Sequence, residues 1–217
     1  MIDPSRPLPH PPKIQPNRKL MAGSLGAIKP EATVANTLLA NVDARFAEAR
    51  QISIQATRVV DSVLDGADLE QASLSDIELR GVDLTNVQLH GSGWNRVAVH
   101  DAKLVGTRIN QASLRDVTFE RCSAELMQMQ MGKCERVRFV SCRLGGALFV
   151  GADLSKVEFD GCDLREADFS NAIMTGADFR RSELDGIHIA PEQLRGVIVT
   201  PDQALYLARA MGIDIRD

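Results

Sequence analysis

The sequence predicts a solenoid of stacked five-residue units, and three observations carry that prediction. An apolar residue falls on every fifth position from Leu64, Leu69, Leu74 and Leu79 through Leu154, Phe159, Leu164 and Phe169 to Phe179 and Ile189, and the phase never slips. Two positions before each centre sits a small or β-branched residue, as at Ala67, Ala72, Val87, Val97, Ala152 and Ala177, so two residues in five point inward. Val117-Thr118-Phe119-Glu120-Arg121-Cys122 recurs as Val137 to Cys142 and Val157 to Cys162, each time twenty residues on, which makes four units one coil. Neither a helical nor an alternating-strand period accounts for this pattern. A single short unit cannot bury its apolar side alone and is stable only when stacked on neighbours.

Units such as Gly66-Ala67-Asp68-Leu69, Gly151-Ala152-Asp153-Leu154 and Gly176-Ala177-Asp178-Phe179 make the chain resemble the pentapeptide-repeat proteins over about two thirds of its length. The resemblance implies an all-β fold, a right-handed quadrilateral β-helix, here with a C-terminal capping α-helix. Each face is then a column of residues spaced by twenty. One column holds Phe119, Phe139, Phe159 and Phe179, another Phe149 and Phe169, and a third stacks Cys122, Cys142 and Cys162 at a small inward place. A fourth runs Ala72, Ser92, Ala112, Gly132, Ala152 and Ala172, leaving room beside Trp94.

Along the chain, residues 1–30 hold seven of the nine prolines, including Pro7-Leu8-Pro9-His10-Pro11-Pro12, and read as an extended or disordered, solvated tail. Residues 31–51 fit an extra coil through Val34 and Leu39, or a helical lid through Val34, Leu38, Val42 and Phe46, with the coil favoured. Residues 52–190 supply about seven coils, a rod roughly 34 Å long at about 4.8 Å per coil. The pattern changes at Pro191. Thr200-Pro201-Asp202-Gln203 is a capping box that opens a helix over 201–211, with Ala204, Leu205, Ala208 and Met211 as its apolar face and Gly212 as its stop. Segments of this kind in the family form end-to-end dimers, which makes Val197, Ile198, Leu207 and Ile213 candidates for a self-contact; the other reading is an intramolecular cap.

Catalytic chemistry is not indicated. His10, His90, His100 and His188 lie in the tail or at outward or edge places, and no Ser or Cys is paired with them. No glycine-rich phosphate loop opens a helix. Three stacked cysteines would span about 9.6 Å, too far for one zinc ion with bonds of about 2.3 Å, so they read as core thiols, like Cys134. No cofactor or metal is expected. An aromatic content of 4% is low for an enzyme built around an apolar pocket. The pI of 5.6 and the lack of a basic groove argue against direct nucleic-acid binding. The absence of a membrane-length apolar run and of an Ala-x-Ala exit points to the cytoplasm.

Function is therefore expected on outward residues. The resemblance implies binding to DNA gyrase or topoisomerase IV as a partial mimic of duplex DNA, protecting the enzyme from fluoroquinolones or other poisons; the unbroken phase is similar to the loop-free members. Residues 52–190 carry 21 acidic and 15 basic residues, a net of −6, against about 20 charges on the same length of duplex. Mimicry is confined to the most acidic face: Asp65, Asp83, Glu125, Asp163, Glu166, Glu183 and Asp185, offset by Lys103, Arg143 and Arg165. A competing surface is an apolar patch of Leu126, Met131, Leu148 and Val150. The alternatives are a general interaction scaffold with an unknown partner, or an exported effector using the proline-rich tail.

Overall fold

The computed structural model describes residues 7–23 and 25–216. Its strands are β1 (Met21–Ala22), β2 (Thr33–Ala35), β3 (Thr37–Ala40), β4 (Ser53–Val60), β5 (Ser73–Arg80), β6 (Gly93–His100), β7 (Ser113–Glu120), β8 (Lys133–Val140) and β9 (Glu158–Asp160), and helix α1 is Pro201–Ala210. Every strand pair is parallel, and from β3 onwards the register is twenty residues: Leu74 lies beside Trp94, Trp94 beside Leu114, and Phe119 beside Phe139. Isolated bridges at the same spacing, Asp43 to Val63 up to Asp163 to Glu183 and Glu48 to Asp68 up to Asp168 to His188, form the other two sides. The product is a four-sided β-helix closed by a C-terminal helix. We number its faces by their inward centres: face 1 runs through Leu64 and Leu164, face 2 through Leu69 and Phe169, face 3 through Leu74 and Trp94, and face 4 through Leu79 and Phe179.

The corners explain why five residues make a side. Every fifth residue from Glu31 to Gly186 has a positive φ, between 46° and 75°. A left-handed residue turns the chain through a right angle, after which two inward residues build the next side. Proline cannot do this, because its ring holds φ near −65°. Pro191 falls on the next corner in phase, and there the regular coils stop in a short 3-10 turn, Pro191–Leu194. Gly196 restores one corner with φ +78°, and Pro201, on the following one, becomes the first residue of α1.

Packing inside the rod follows the columns. Phe119, Phe139, Phe159 and Phe179 stack with centroids 4.8, 5.2 and 5.0 Å apart and rings within 7° of parallel. Phe149 and Phe169 stack at 5.1 Å and meet the first ladder edge-on, Phe149 against Phe159 at 76°. Edge-to-face and offset contacts of this kind contribute about 0.5–1.5 kcal/mol per pair beyond the area they bury. The N-terminal half, built of Leu, Ile and Val, is filled less completely: an apolar cavity of about 40 Å³ remains among Leu39, Ile54, Leu79 and Trp94. Trp94 sits beside Ser92, whose hydroxyl accepts its indole N–H at 2.8 Å and itself donates to Leu89 O at 2.7 Å. All four cysteines are free and buried. Burial pushes the Cys134 thiol up to about 12, which keeps it an inert packing group.

The two ends differ from expectation in instructive ways. Residues 33–50 form a coil, with Val34, Leu39, Ala44 and Ala49 buried in the pentad phase and Phe46 left 71% exposed at a corner, which a lidding helix would have turned inward. The proline-rich segment is not a solvated tail where it is described. Residues 7–16 run along the rod, Asn17–Lys19 forms a 3-10 turn, and β1 pairs with Thr37–Leu38. Prolines cannot enter a ladder, but two of the non-proline residues, His10 and Lys13, donate backbone N–H groups to Asp116 and Asp76 instead. Residues 1–6 of the expected tail lie outside the described residues. In α1 the inward residue is Leu207, not the stripe of Ala204, Leu205, Ala208 and Met211, of which Ala204 and Leu205 are exposed. The helix is rotated so that Gln203 and Leu207 face the last coil, where Gln203 caps open carbonyls.

Candidate interaction surface

The expected acidic residues all fall on face 1 or its corner with face 2. The structure also shows what neutralises them. Arg165 grips Asp163 through two hydrogen bonds of 2.8 and 2.6 Å and reaches Glu183 at 3.4 Å. Lys103 lies 3.5 Å from Asp83, and Arg143 2.8 Å from Glu125. The Arg165 guanidinium holds the Asp163 carboxyl below its usual range. Asp65, Glu166 and Asp185 have no cation within ion-pair distance among the described residues. At the C-terminal end of face 1, Glu166 and Asp185 are therefore exposed and uncompensated, beside the exposed Glu183 that Arg165 reaches.

The apolar patch is more sharply defined. Leu126 and Met131 occupy the two corners of face 2 in one coil, 60% and 64% exposed. Between and above them, Leu148 and Val150 are half-buried, with Leu148 bridged to Gln128 below it. Both corner residues have left-handed backbones, φ 57° and 55°. That conformation costs an ordinary side chain roughly 1–2 kcal/mol, and asparagine or glycine is the usual occupant. In the coil above, the same corners are glycines. Leu126 Cδ2 stands 3.0 Å from where a Cβ on Gly146 would be, and Met131 Cγ 3.7 Å from that of Gly151, so each apolar side chain lies over a glycine of the coil above. Two large apolar groups are thus held in water on strained corners, which solenoid stability alone does not require.

Of the C-terminal residues read as a self-contact, Leu207 is buried in the chain's own core. Val197 and Ile198 are half-buried, Ile198 pairing with Asp178, while Ile213 is 56% exposed.

Sequence reading missed a third feature, at the corner between faces 3 and 4. Here Arg96 makes a two-bond pair with Asp76 at 2.6 and 2.7 Å, and forty residues on Arg136 makes the same pair with Asp116 at 2.6 and 2.9 Å. Both aspartates are buried, 6% and 5% exposed, although their place in the repeat is outward. Asp116 is held far below the usual carboxylate range, first by the Arg136 guanidinium and further by the N–H of His10; Asp76 is lowered by Arg96 in the same way. The signal available in the sequence was the Asp-then-Arg pair twenty residues apart, repeated at forty.

Among the described residues no group of three or more His, Cys, Asp or Glu is placed to hold a metal ion, and no helix is long and apolar enough to cross a membrane.

A four-sided β-helix with twenty-residue coils is the architecture of repeat proteins that present side chains on flat faces. Residues 62–92 match pentapeptide repeats (8 copies), and residues 92–169 and 112–189 match a pentapeptide repeat region. The chain belongs to the pentapeptide-repeat family. No curated protein matches it. Among solved structures it is similar to HetL, a pentapeptide repeat protein involved in heterocyst differentiation regulation from the cyanobacterium Nostoc sp. strain PCC 7120. The identity there is 19%, covering 83% of this chain and 89% of that one, with a TM-score of 0.43. It is also similar to full-length QnrB1, a plasmid-mediated fluoroquinolone resistance protein, at 18% identity over 88% of this chain and 95% of that one, with a TM-score of 0.38. Likenesses of this size do not transfer what those proteins do.

Proposed function

We propose that the chain is a non-catalytic protein-interaction module, working in the cytoplasm, whose contact surface is face 2 with its corners Leu126 and Met131. The observation that carries this is the pair of large apolar side chains exposed on the two corners of face 2 in one coil. A partner protein covering Leu126, Met131, Leu148 and Val150 would remove that area from water and favour association.

The partner we assign is a type II topoisomerase, DNA gyrase or topoisomerase IV, with protection from fluoroquinolones or other poisons as the outcome. The supporting observation is the cluster of Glu166, Glu183 and Asp185 at one end of face 1, bordering the apolar corner. It offers a short anionic edge in place of a full duplex mimic. The chain is not proposed to bind nucleic acid itself. Self-association through the C-terminal end would rest on Ile213, Val197 and Ile198 without Leu207.

A supercoiling and cleavage assay with purified gyrase, with and without a fluoroquinolone, tests this reading. Inhibition or drug protection at micromolar protein is expected, reduced at least tenfold by L126G/M131G and by charge reversal at Glu166, Glu183 and Asp185. No effect of the wild-type protein on gyrase or topoisomerase IV overturns the topoisomerase assignment and leaves a scaffold of another partner.

A further inference from the structure

The corner between faces 3 and 4 carries a second binding surface, independent of face 2. His10 and Lys13 are three residues apart, and the aspartates that accept their N–H groups, Asp116 and Asp76, are forty residues apart, which is two coils. Three residues of polyproline II rise about 9.3 Å, and two coils rise about 9.6 Å. The two periods are commensurate, so a polyproline helix laid along this corner that meets Asp116 at one residue meets Asp76 three residues later. Pro16, with φ −56° and ψ 146°, has the torsions of that helix. Pro7, three residues before His10, lines a groove of about 610 Å³ with Arg136 and Lys156, one step further up the rod.

Recognition is mainly by backbone, with one contact from the His10 ring. Among the described residues, the polar contacts to the segment from this corner are the N–H of His10 on Asp116 at 3.0 Å, the His10 ring Nδ1 on the same oxygen at 2.8 Å, and the N–H of Lys13 on Asp76 at 2.8 Å. Arg136 and Arg96 hold the two carboxylates in place, each donating its Nε to the same Oδ1 that accepts the segment's N–H. Built into this corner are therefore two buried, oriented acceptors two coils apart, matched to an extended segment with a donor after each run of prolines. The His10 side chain is 67% exposed, so little of the segment's identity is read beyond proline geometry and donor spacing.

We propose that this corner is a polyproline-reading groove, occupied in cis by residues 7–13, and that proline-rich segments of partner proteins with two non-proline donors three residues apart bind there by displacing it. The groove lies half a coil from the Leu126 corner, on the diagonally opposite edge of the rod. Loss of peptide binding and loss of the face 2 activity are therefore separately readable.

The test uses the full-length chain and a fluorescent peptide of residues 7–16, with binding followed by anisotropy. In H10P/K13P the strap keeps its polyproline shape but loses both donors, and thermal melting checks that the rod is unchanged. The labelled peptide is expected to bind H10P/K13P at least tenfold more tightly than wild type. Binding should be lost when D76A/D116A is added, with melting checked again, and when the peptide itself carries proline at positions 10 and 13. Equal binding to wild type and H10P/K13P, binding to neither, or equal binding by the donor-less peptide would each overturn the proposal.

Discussion

Gln193 and Gln203 stand ten residues apart and make the same three-way connection at the end of the rod. Each Oε1 accepts the backbone N–H three residues earlier, Ala190 at 2.8 Å and Thr200 at 2.9 Å. Each Nε2 donates to two carbonyls of the coil beneath, Phe169 and Ala172 for Gln193, Phe179 and Ser182 for Gln203. Ten residues is half a coil, so the two amides close opposite corners of the last one. An open β-helix end exposes unpaired backbone groups that invite edge-to-edge association, and this pair covers them.

Removing either amide should therefore loosen the C-terminal end first. Gln203→Ala leaves two carbonyls and the Thr200 N–H without their partner, at about 1–3 kcal/mol. Hydrogen exchange should show lost protection around residues 177–187 with the coils before residue 120 unchanged. Uniform loss along the whole rod would contradict an end-capping role.

The aromatic ladders locate the most sensitive core positions. Phe139 is fully buried, stacked on Phe119 and Phe159 and edge-on to Phe149. Phe139→Ala should cost about 3–5 kcal/mol in thermal or denaturant unfolding. Phe139→Asp should not fold, because it buries an unpaired charge. A folded Phe139→Asp protein would refute the packing described.

Acid should weaken the fold through specific carboxylates. Asp76, Asp116 and Asp163 are lowered by Arg96, Arg136 and Arg165 respectively. A depressed folded pKa means that the unfolded chain takes up protons first, near the usual value of about 3.9. Their contribution is complete above about pH 4 and is lost as the pH falls below it. Melting temperature should be flat from pH 5 to 8 and drop below pH 4, and D116N should lower it at pH 7 while flattening the acid limb.

Leu126 and Met131 separate stability from binding. Leu126→Gly and Met131→Gly relieve the left-handed strain but give the unfolded chain more freedom, so the two effects nearly cancel, within about 1 kcal/mol. Unfolding curves close to wild type, together with lost partner binding, are the expected result. By contrast Gly146→Ala, at φ +63° in the coil above Leu126, should destabilise by about 1–2 kcal/mol.

The rod was legible in the sequence because its rule is local and repeated: Leu, Phe and Ala recur at five, and Val117 to Cys122 recurs at twenty. The capping box at Thr200 was legible for the same reason. What escaped depended on contacts between segments far apart in the chain. His10 meets Asp116 across more than a hundred residues, and proline composition alone reads as solvent. The rotation of α1 turned on Gln203 seeking carbonyls, a demand set by the coil end and not by the helix's own apolar stripe. On the surface, the sequence placed Arg143 and Arg165 on the acidic face, but not which carboxylates each one pairs with.

The placement of Pro191 on a corner has a consequence for how such a chain can change in length. An insertion of five residues between Phe119 and Phe159 would keep every corner but turn each later side onto the neighbouring face, breaking the phenylalanine ladder at that point. Only a block of twenty restores every column. Growth by duplication is therefore quantised in whole coils, and the rod behaves as a ruler with one graduation per coil and a fixed stop at its end.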